Sequence, residues 1–140
     1  MLAPKKVKHR KWQTGRKKLD GKVDIRGSVM SFGSFGIKAT THARVTSNQI
    51  EAARKACQRE LTKVGRVWIR IFPDRPVTQK AANVGMGKGK GDLDHYCFEV
   101  LPGRIIFEVD GVSEAIAREA LRKAGTKLPV KTRIISRELA

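Results

Sequence analysis

Acidic residues are scarce in this 140-residue chain: 13 Asp and Glu stand against 30 Lys and Arg, a formal net charge of +17. A compact domain carrying that imbalance repels itself unless a polyanion neutralises it. Cysteine is nearly absent too. Cys57 and Cys97 lie singly in apolar-periodic segments, not in a CxxC pair, and read as two reduced core residues instead of a disulfide or metal site. The histidines, His9, His42 and His95, are scattered, none at ligand spacing from a cysteine. No apolar run approaches the roughly 20 residues of a membrane span. The basic start MLAPKKVKHRKW has no apolar stretch behind it, so it does not read as a secretory signal, and it lacks the Ser of an amphipathic transit segment. No repeat of solenoid period is present. These absences disfavour a membrane protein, a disulfide scaffold and a metalloprotein. They leave one partner class in front, because a pI near 10.6 is the electrostatic signature of a nucleic-acid binder.

The charge is concentrated at one end. Residues 1–26 carry a net of +8, with few and aperiodic apolar residues. They read as a basic N-terminal extension, an extended arm that orders on its partner. Its cations Lys5, Lys6, Lys8, Arg10, Lys11, Arg16, Lys17 and Lys18 interleave with His9 and Trp12, flat rings suited to stacking on exposed bases or sugars.

Residues 27–140 read as one α+β domain with the order ββ–α–β–ββ–α–β. Gly27, Gly33 and Gly36 punctuate residues 28–39, which suggests two short strands with a tight connection. Thr46 followed by Gln49 forms a capping box, with Val45 and Ile50 at hydrophobic-staple positions. Ile50, Ala53, Cys57, Leu61 and Val64 then make one apolar stripe up to a stop at Gly65. Lys55, Arg59 and Lys63 occupy another face of that helix and are candidate phosphate contacts. A strand is expected over Arg66–Phe72, and a long loop over 73–92. Strands at His95–Leu101 and Arg104–Val109, joined by the turn pair Pro102-Gly103, would place Glu99 and Glu108 on neighbouring strands. The second helix starts near Ser113, shows Ile116, Ala117, Ala120, Leu121 and Ala124 on its apolar face and ends at Gly125. A last strand runs over about 130–136.

Within the long loop, residues 85–91 read GMGKGKG. Glycine lets backbone N–H groups approach phosphate, and lysine adds charge. The Walker pattern fails because each lysine is followed by Gly where Ser or Thr should hold magnesium. The dinucleotide pattern fails because Lys90 and Asp92 occupy the third glycine positions. Contact with RNA phosphate is the better reading, with a solvated loop as the plain alternative. Signs of catalysis are thin. Asp92 and Asp94 fit turn chemistry better than a carboxylate pair, and GSFG around Ser34 is not a nucleophile elbow. No catalytic residue, cofactor, metal or small-molecule substrate is expected. A free regulatory RNA- or DNA-binding module, or a small enzyme using the glycine loop for a nucleotide, would be the competing classes.

Seven blocks then carry a resemblance over nearly the whole chain: MLAPKKVKHRKWQTGR at 1–16, SFGSFGIKA at 31–39, VTSNQIEAARKA at 45–56, VWIRIFPDRPVTQK at 67–80, MGKGKG at 86–91, FEVDGV at 107–112 and LPVKTR at 128–133. In this order they resemble the bacterial-type large-subunit ribosomal protein L-sixteen family. That resemblance implies a single α+β domain of α/β-hammerhead type, two helices on a mixed or antiparallel sheet, and a basic arm. It implies a structural, non-enzymatic role in the ribosome of the cytoplasm, with an organelle-encoded copy left open. Implied partners are large-subunit rRNA, A-site tRNA with P-site tRNA as a second candidate, and neighbouring ribosomal proteins, with no membrane. The arm cations and basic surface would touch rRNA. Lys80, Met86, Gly87, Lys88, Gly89 and Lys90 would form the loop nearest tRNA and the peptidyl-transferase centre. One departure stands out: many bacterial relatives carry an arginine, which can be hydroxylated, where this chain has Gly85. Neither that side chain's role nor its modification transfers. The segment LDGKVDIRG at 19–27 is also more acidic than is usual for the family.

Overall fold

The computed structural model describes residues 2–14 and 19–137. Those residues form seven strands and two helices: β1 (Phe35–Ala39), β2 (Ala43–Thr46), α1 (Ser47–Leu61), β3 (Arg66–Ile69), β4 (Arg75–Gln79), β5 (Asp92–Val100), β6 (Ile105–Asp110), α2 (Glu114–Thr126) and β7 (Thr132–Ser136). The strands make two sheets, both antiparallel. One has the order β3-β6-β1-β7 and the other β2-β5-β4.

Strand alternation explains the main core. Paired residues share a face, and the register sets Ile37 opposite Phe107 and Ile134, and Val67 opposite Val109. That face meets both helices. Ile50, Ala53, Cys57 and Leu61 of α1, and Ala117, Ala120, Leu121 and Ala124 of α2, recur at helical spacing and are buried in one cluster with Ile37, Phe107 and Val109. The small alanines of α2 let the two helices pack closely.

The capping box is formed as the spacing predicts. The Gln49 N–H donates to Thr46 Oγ1 (3.4 Å) and the Thr46 N–H donates to Gln49 Oε1 (2.9 Å). Val45 and Ile50, the staple pair, are both fully buried.

Several sequence expectations are corrected. Residues 28–39 hold one strand, β1, and not two. The backbone N–H groups of Ser31, Phe32 and Gly33 all turn onto one carboxylate oxygen of Glu108 (3.0, 3.1 and 3.2 Å) and so cannot enter a ladder. The other strand of this region is β2, which ends at the helix cap. The loop expected at 73–92 is shorter, because β4 occupies Arg75–Gln79. Pro76 is tolerated there since β4 is a sheet edge and lacks only a donor. The strands either side of Pro102-Gly103 are not neighbours: β5 and β6 belong to different sheets, so Glu99 and Glu108 face different surroundings. Gly103, at φ +97, turns the chain from one sheet to the other and donates its N–H to Ala39. Helix α1 stops at Leu61, before Gly65, with Thr62 at φ +59 as its cap. Val64 therefore leaves the apolar stripe and is 74% exposed. Ile116 likewise faces solvent, and α2 continues through Gly125 to Thr126.

Candidate nucleic-acid interface

Residues 2–14 have no helix or strand, yet they are not detached from the domain. Leu2 packs against the core cluster. Trp12 lies under the guanidinium of Arg75 on β4, 5.4 Å from ring centre to Arg75 Cζ. Arg75 is itself buried and held by Glu99 of β5, with Nε 3.0 Å from the carboxylate. An ion pair between buried Arg75 and half-buried Glu99 thus anchors a cation–π contact, and that contact anchors residues 2–14. Lys5, Lys6, Lys8, His9 and Arg10 remain exposed around it, and Lys11 is half-buried. Beside Trp12 a cavity of about 280 Å³ is lined by Lys6, Lys8, His9, Trp12, Phe72 and Asp74, among others. Arg16, Lys17 and Lys18 lie outside the described residues.

The arm and the glycine–lysine loop meet. Lys90 Nζ donates to the carbonyl of Trp12, while Lys11 Nζ reaches the carbonyl of Lys90 (3.5 Å) and the Asp92 carboxylate (4.0 Å). Two lysines from distant parts of the chain therefore each hold the other segment's backbone. Within the loop, Lys80 Nζ donates to the carbonyl of Gly87 and draws the stem to the tip. Gly87 (φ +105), Lys88 (φ +60) and Gly89 (φ +96) are consecutive left-handed residues. Glycine adopts that backbone without strain. Residues 81–90 are all exposed, and Met86 is 99% exposed. A Cβ added at Gly85 would meet nothing within 4 Å, so packing does not impose glycine there.

Lys55 and Arg59 are exposed on α1, and Lys63 is exposed just beyond its end. Among the described residues, no hydrogen bond or ion pair joins this trio to the arm or to the loop. The structure thus brings together the arm and the loop and leaves the helical trio as a separate patch. Sequence reading missed Arg75, Phe72 and Asp92 as parts of the site. Arg75 was hidden in a segment read as loop, and its role depends on Glu99 and Trp12, at least 24 residues away on either side. Asp94, weighed as half of a carboxylate pair, is paired with His95 Nδ1 at 2.7 Å, while Asp92 faces Lys11.

The Glu108 site lies beneath the segment that precedes β1. This fully buried carboxylate accepts the three N–H groups of residues 31–33 on one oxygen and the Arg70 guanidinium on the other, at 2.5 Å. Burial pushes its pKa up, but the hydrogen bonds from Arg70, Phe32 and Gly33 outweigh burial and hold it below the usual carboxylate range. Arg70 also lies over the ring of Phe32 (5.4 Å), which stacks on Trp68 with centroids 6.0 Å apart. Among the described residues, no group of three or more His, Cys, Asp or Glu side chains is placed to hold a metal ion. No helix among them is long and apolar enough to cross a membrane.

Comparison with known proteins agrees with the chemistry of this surface. The family described as ribosomal protein L16p/L10e matches residues 4–135. The chain is 54% identical over 137 residues to the large ribosomal subunit protein uL16 of Halorhodospira halophila, covering 98% of each chain. It is 56% identical over 138 residues to the protein of the same name from Cereibacter sphaeroides, covering 99% of this chain and 98% of the relative.

Proposed function

The chain belongs to the ribosomal protein L16p/L10e family and is a structural constituent of the large ribosomal subunit, not an enzyme; from that premise we propose that it clamps large-subunit rRNA with its arm and thereby fixes a loop beside tRNA. In this reading residues 1–26 are the RNA-binding extension, and residues 27–140 are the domain that carries the loop. Lys5, Lys6, Lys8, Arg10, Lys11, Arg16, Lys17 and Lys18 neutralise rRNA phosphates, and release of counterions supplies much of the affinity. His9 and Trp12 offer faces to unpaired bases. Lys55, Arg59 and Lys63 make a second, smaller contact with rRNA. Contacts to the RNA backbone dominate, so sequence readout is weak.

One observation carries this proposal: the reciprocal clasp of Lys11 and Lys90 across the arm and the loop. Any RNA that orders the arm also orders the stem of the loop. The division of labour within the loop follows. Lys80 and Lys90 are spent on backbone carbonyls and shape the loop. Lys88 and Met86, exposed on glycine-flanked backbone, are left to reach the A-site tRNA near the peptidyl-transferase centre, and P-site tRNA is within the same proposal. The glycines let Gly87 and Gly89 N–H groups come close to phosphate.

The test is a crosslink map from intact large subunits carrying a photoreactive group at Lys8 or at Lys88. Lys8 should capture rRNA, and Lys88 should capture tRNA only when the A site is filled. Capture of rRNA alone at Lys88, with or without tRNA, would remove the tRNA part of the reading. Failure of the protein to sediment with the large subunit would remove the rRNA part.

A further inference from the structure

The four-stranded sheet has two edges. One is β3, whose continuation at Phe72 meets the arm. The opposite edge is β7, and it borders an open groove of about 700 Å³. Lys38, Arg118, Arg133 and Arg137 line it with Val29 and Ile135, and no carboxylate lines it among the described residues. None of these cations was singled out by the sequence, because they are spread over 100 residues of chain.

Their arrangement is unfavourable without a ligand. Lys38 on β1 and Arg133 on β7 are direct cross-strand partners. Paired side chains of an antiparallel ladder lie about 5 Å apart at Cβ, and like charges there destabilise the sheet. Edge strands often carry lysine to discourage pairing with other chains, but β1 is an interior strand, so that account does not cover Lys38. Among the described residues neither Lys38 nor Arg133 has an ion-pair partner. Arg137 is held in place by the carbonyl of Met30 at 3.4 Å, and among the described residues it has no ion-pair partner. Among the described residues, Arg118 alone of the four forms an ion pair, with Glu114 at 2.9 Å. A ligand with several negative charges along its length would relieve the opposed pair and occupy the groove. Guanidinium groups suit phosphate oxygens, which they bind in a planar, forked geometry.

We infer that the β7 groove is a second RNA-backbone site, which grips a phosphodiester strand on the side of the domain away from the arm. This rests on the rRNA-binding reading given above and extends it from one surface to two. Together the two surfaces would hold separate rRNA segments on opposite edges of one sheet. An edge strand could instead pair with a strand of a neighbouring protein. The density of positive charge, with no carboxylate among the described lining residues, favours RNA.

The experiment uses the full chain and deproteinised large-subunit rRNA, with affinity measured from 50 to 200 mM salt. Four proteins are compared: wild type, Lys38→Thr with Arg133→Thr, Arg137→Gln, and an arm variant with Lys5, Lys6 and Lys8 changed to Ala. Each lost phosphate contact should lower the slope of log affinity against log salt by about 0.7–0.9. The groove variant should therefore lose about 1.4–1.8, and Arg137→Gln alone, which leaves both strands untouched, about half of that. In the absence of RNA the groove variant should melt about 1–4 °C higher than wild type, because a repulsive pair has gone. A merely structural pair would give the reverse. An unchanged slope in both groove variants, with a reduced slope in the arm variant, overturns the groove and leaves the arm reading intact. Unchanged slopes throughout overturn both. A lower melting temperature of the RNA-free groove variant also overturns the inference. So does an unchanged slope with weakened retention on the large subunit, which would assign the groove to a protein neighbour.

Discussion

Glu108→Gln removes a charge, with little change of volume, from the middle of β6. The native carboxylate has no exposed surface and serves two masters: three backbone N–H groups of residues 31–33 on one oxygen, and Arg70 on the other. Glutamine keeps a single acceptor oxygen. It can satisfy the backbone or the arginine, but its amide then presents N–H to the one it abandons. Breaking a fully buried ion pair costs about 3–5 kcal/mol. The Arg70 side chain keeps 17% of its exposure, so water relieves part of that loss. The expected destabilisation is about 2–4 kcal/mol, or a fall in Tm of roughly 5–12 °C for a domain of this size. The dependence on pH identifies the cause. Glu108 has a folded pKa below the usual range, so its charge adds stability at pH values above the unfolded carboxylate pKa. That contribution is lost as pH falls through the folded value. The gap between wild type and variant should be full at pH 7 and narrow progressively below about pH 4.3. Urea unfolding followed by tryptophan fluorescence suits the question, because Trp68 stacks on Phe32, one of the residues that the carboxylate holds. A gap under about 0.5 kcal/mol at pH 7, within the range of ordinary surface substitutions, would refute the reasoning. So would a gap of constant size across the pH range.

Further outcomes follow from single contacts. Gly33→Ala would place a Cβ 2.6 Å from the Val109 carbonyl oxygen and 2.9 Å from its nitrogen, so it should destabilise by about 2 kcal/mol or more, read by urea unfolding. Gly85→Ala, with open space around it, should leave stability within about 0.5 kcal/mol of wild type in the same assay. Thr46→Ala removes half of the capping box and should cost about 1 kcal/mol, seen as a lower urea midpoint at unchanged slope. Burial pushes the Cys57 thiol up to about 11 and raises that of Cys97 as well. Since the thiolate is the reactive form, a thiol reagent at pH 8 should label neither in the native protein and both in urea. Deleting residues 1–26 should flatten the salt dependence of rRNA binding, and an unchanged slope would remove the arm from the interface.

Local patterns were legible wherever one face of a segment meets the core. The stripe Ile50–Leu61 and the box Thr46–Gln49 are short-range: helical spacing and a side chain reaching three residues along the chain decide them. The loop glycines and the charge density of residues 1–26 were legible for the same reason, since both are properties of the segment itself. Strands β2 and β4 were hidden because each is short and is completed by hydrogen bonds from β5, which the chain reaches only later. Pro76 read as a breaker, and only the position of β4 at a sheet edge makes it harmless.

By itself, the sequence determined that this chain is a basic α+β protein with much of its positive charge in residues 1–26, since composition and periodicity are summed along the chain and need no folding to be counted. Its seven ordered blocks also carried the likeness to the family. Which charges meet was a matter for tertiary structure alone. The Lys11–Lys90 clasp, the burial of Glu108 beneath residues 31–33 and the confrontation of Lys38 with Arg133 each join residues at least 75 positions apart. Electrostatic and hydrogen-bond energies fall off within a few ångströms of space, and distance along the chain says nothing about distance through it until the sheets have closed.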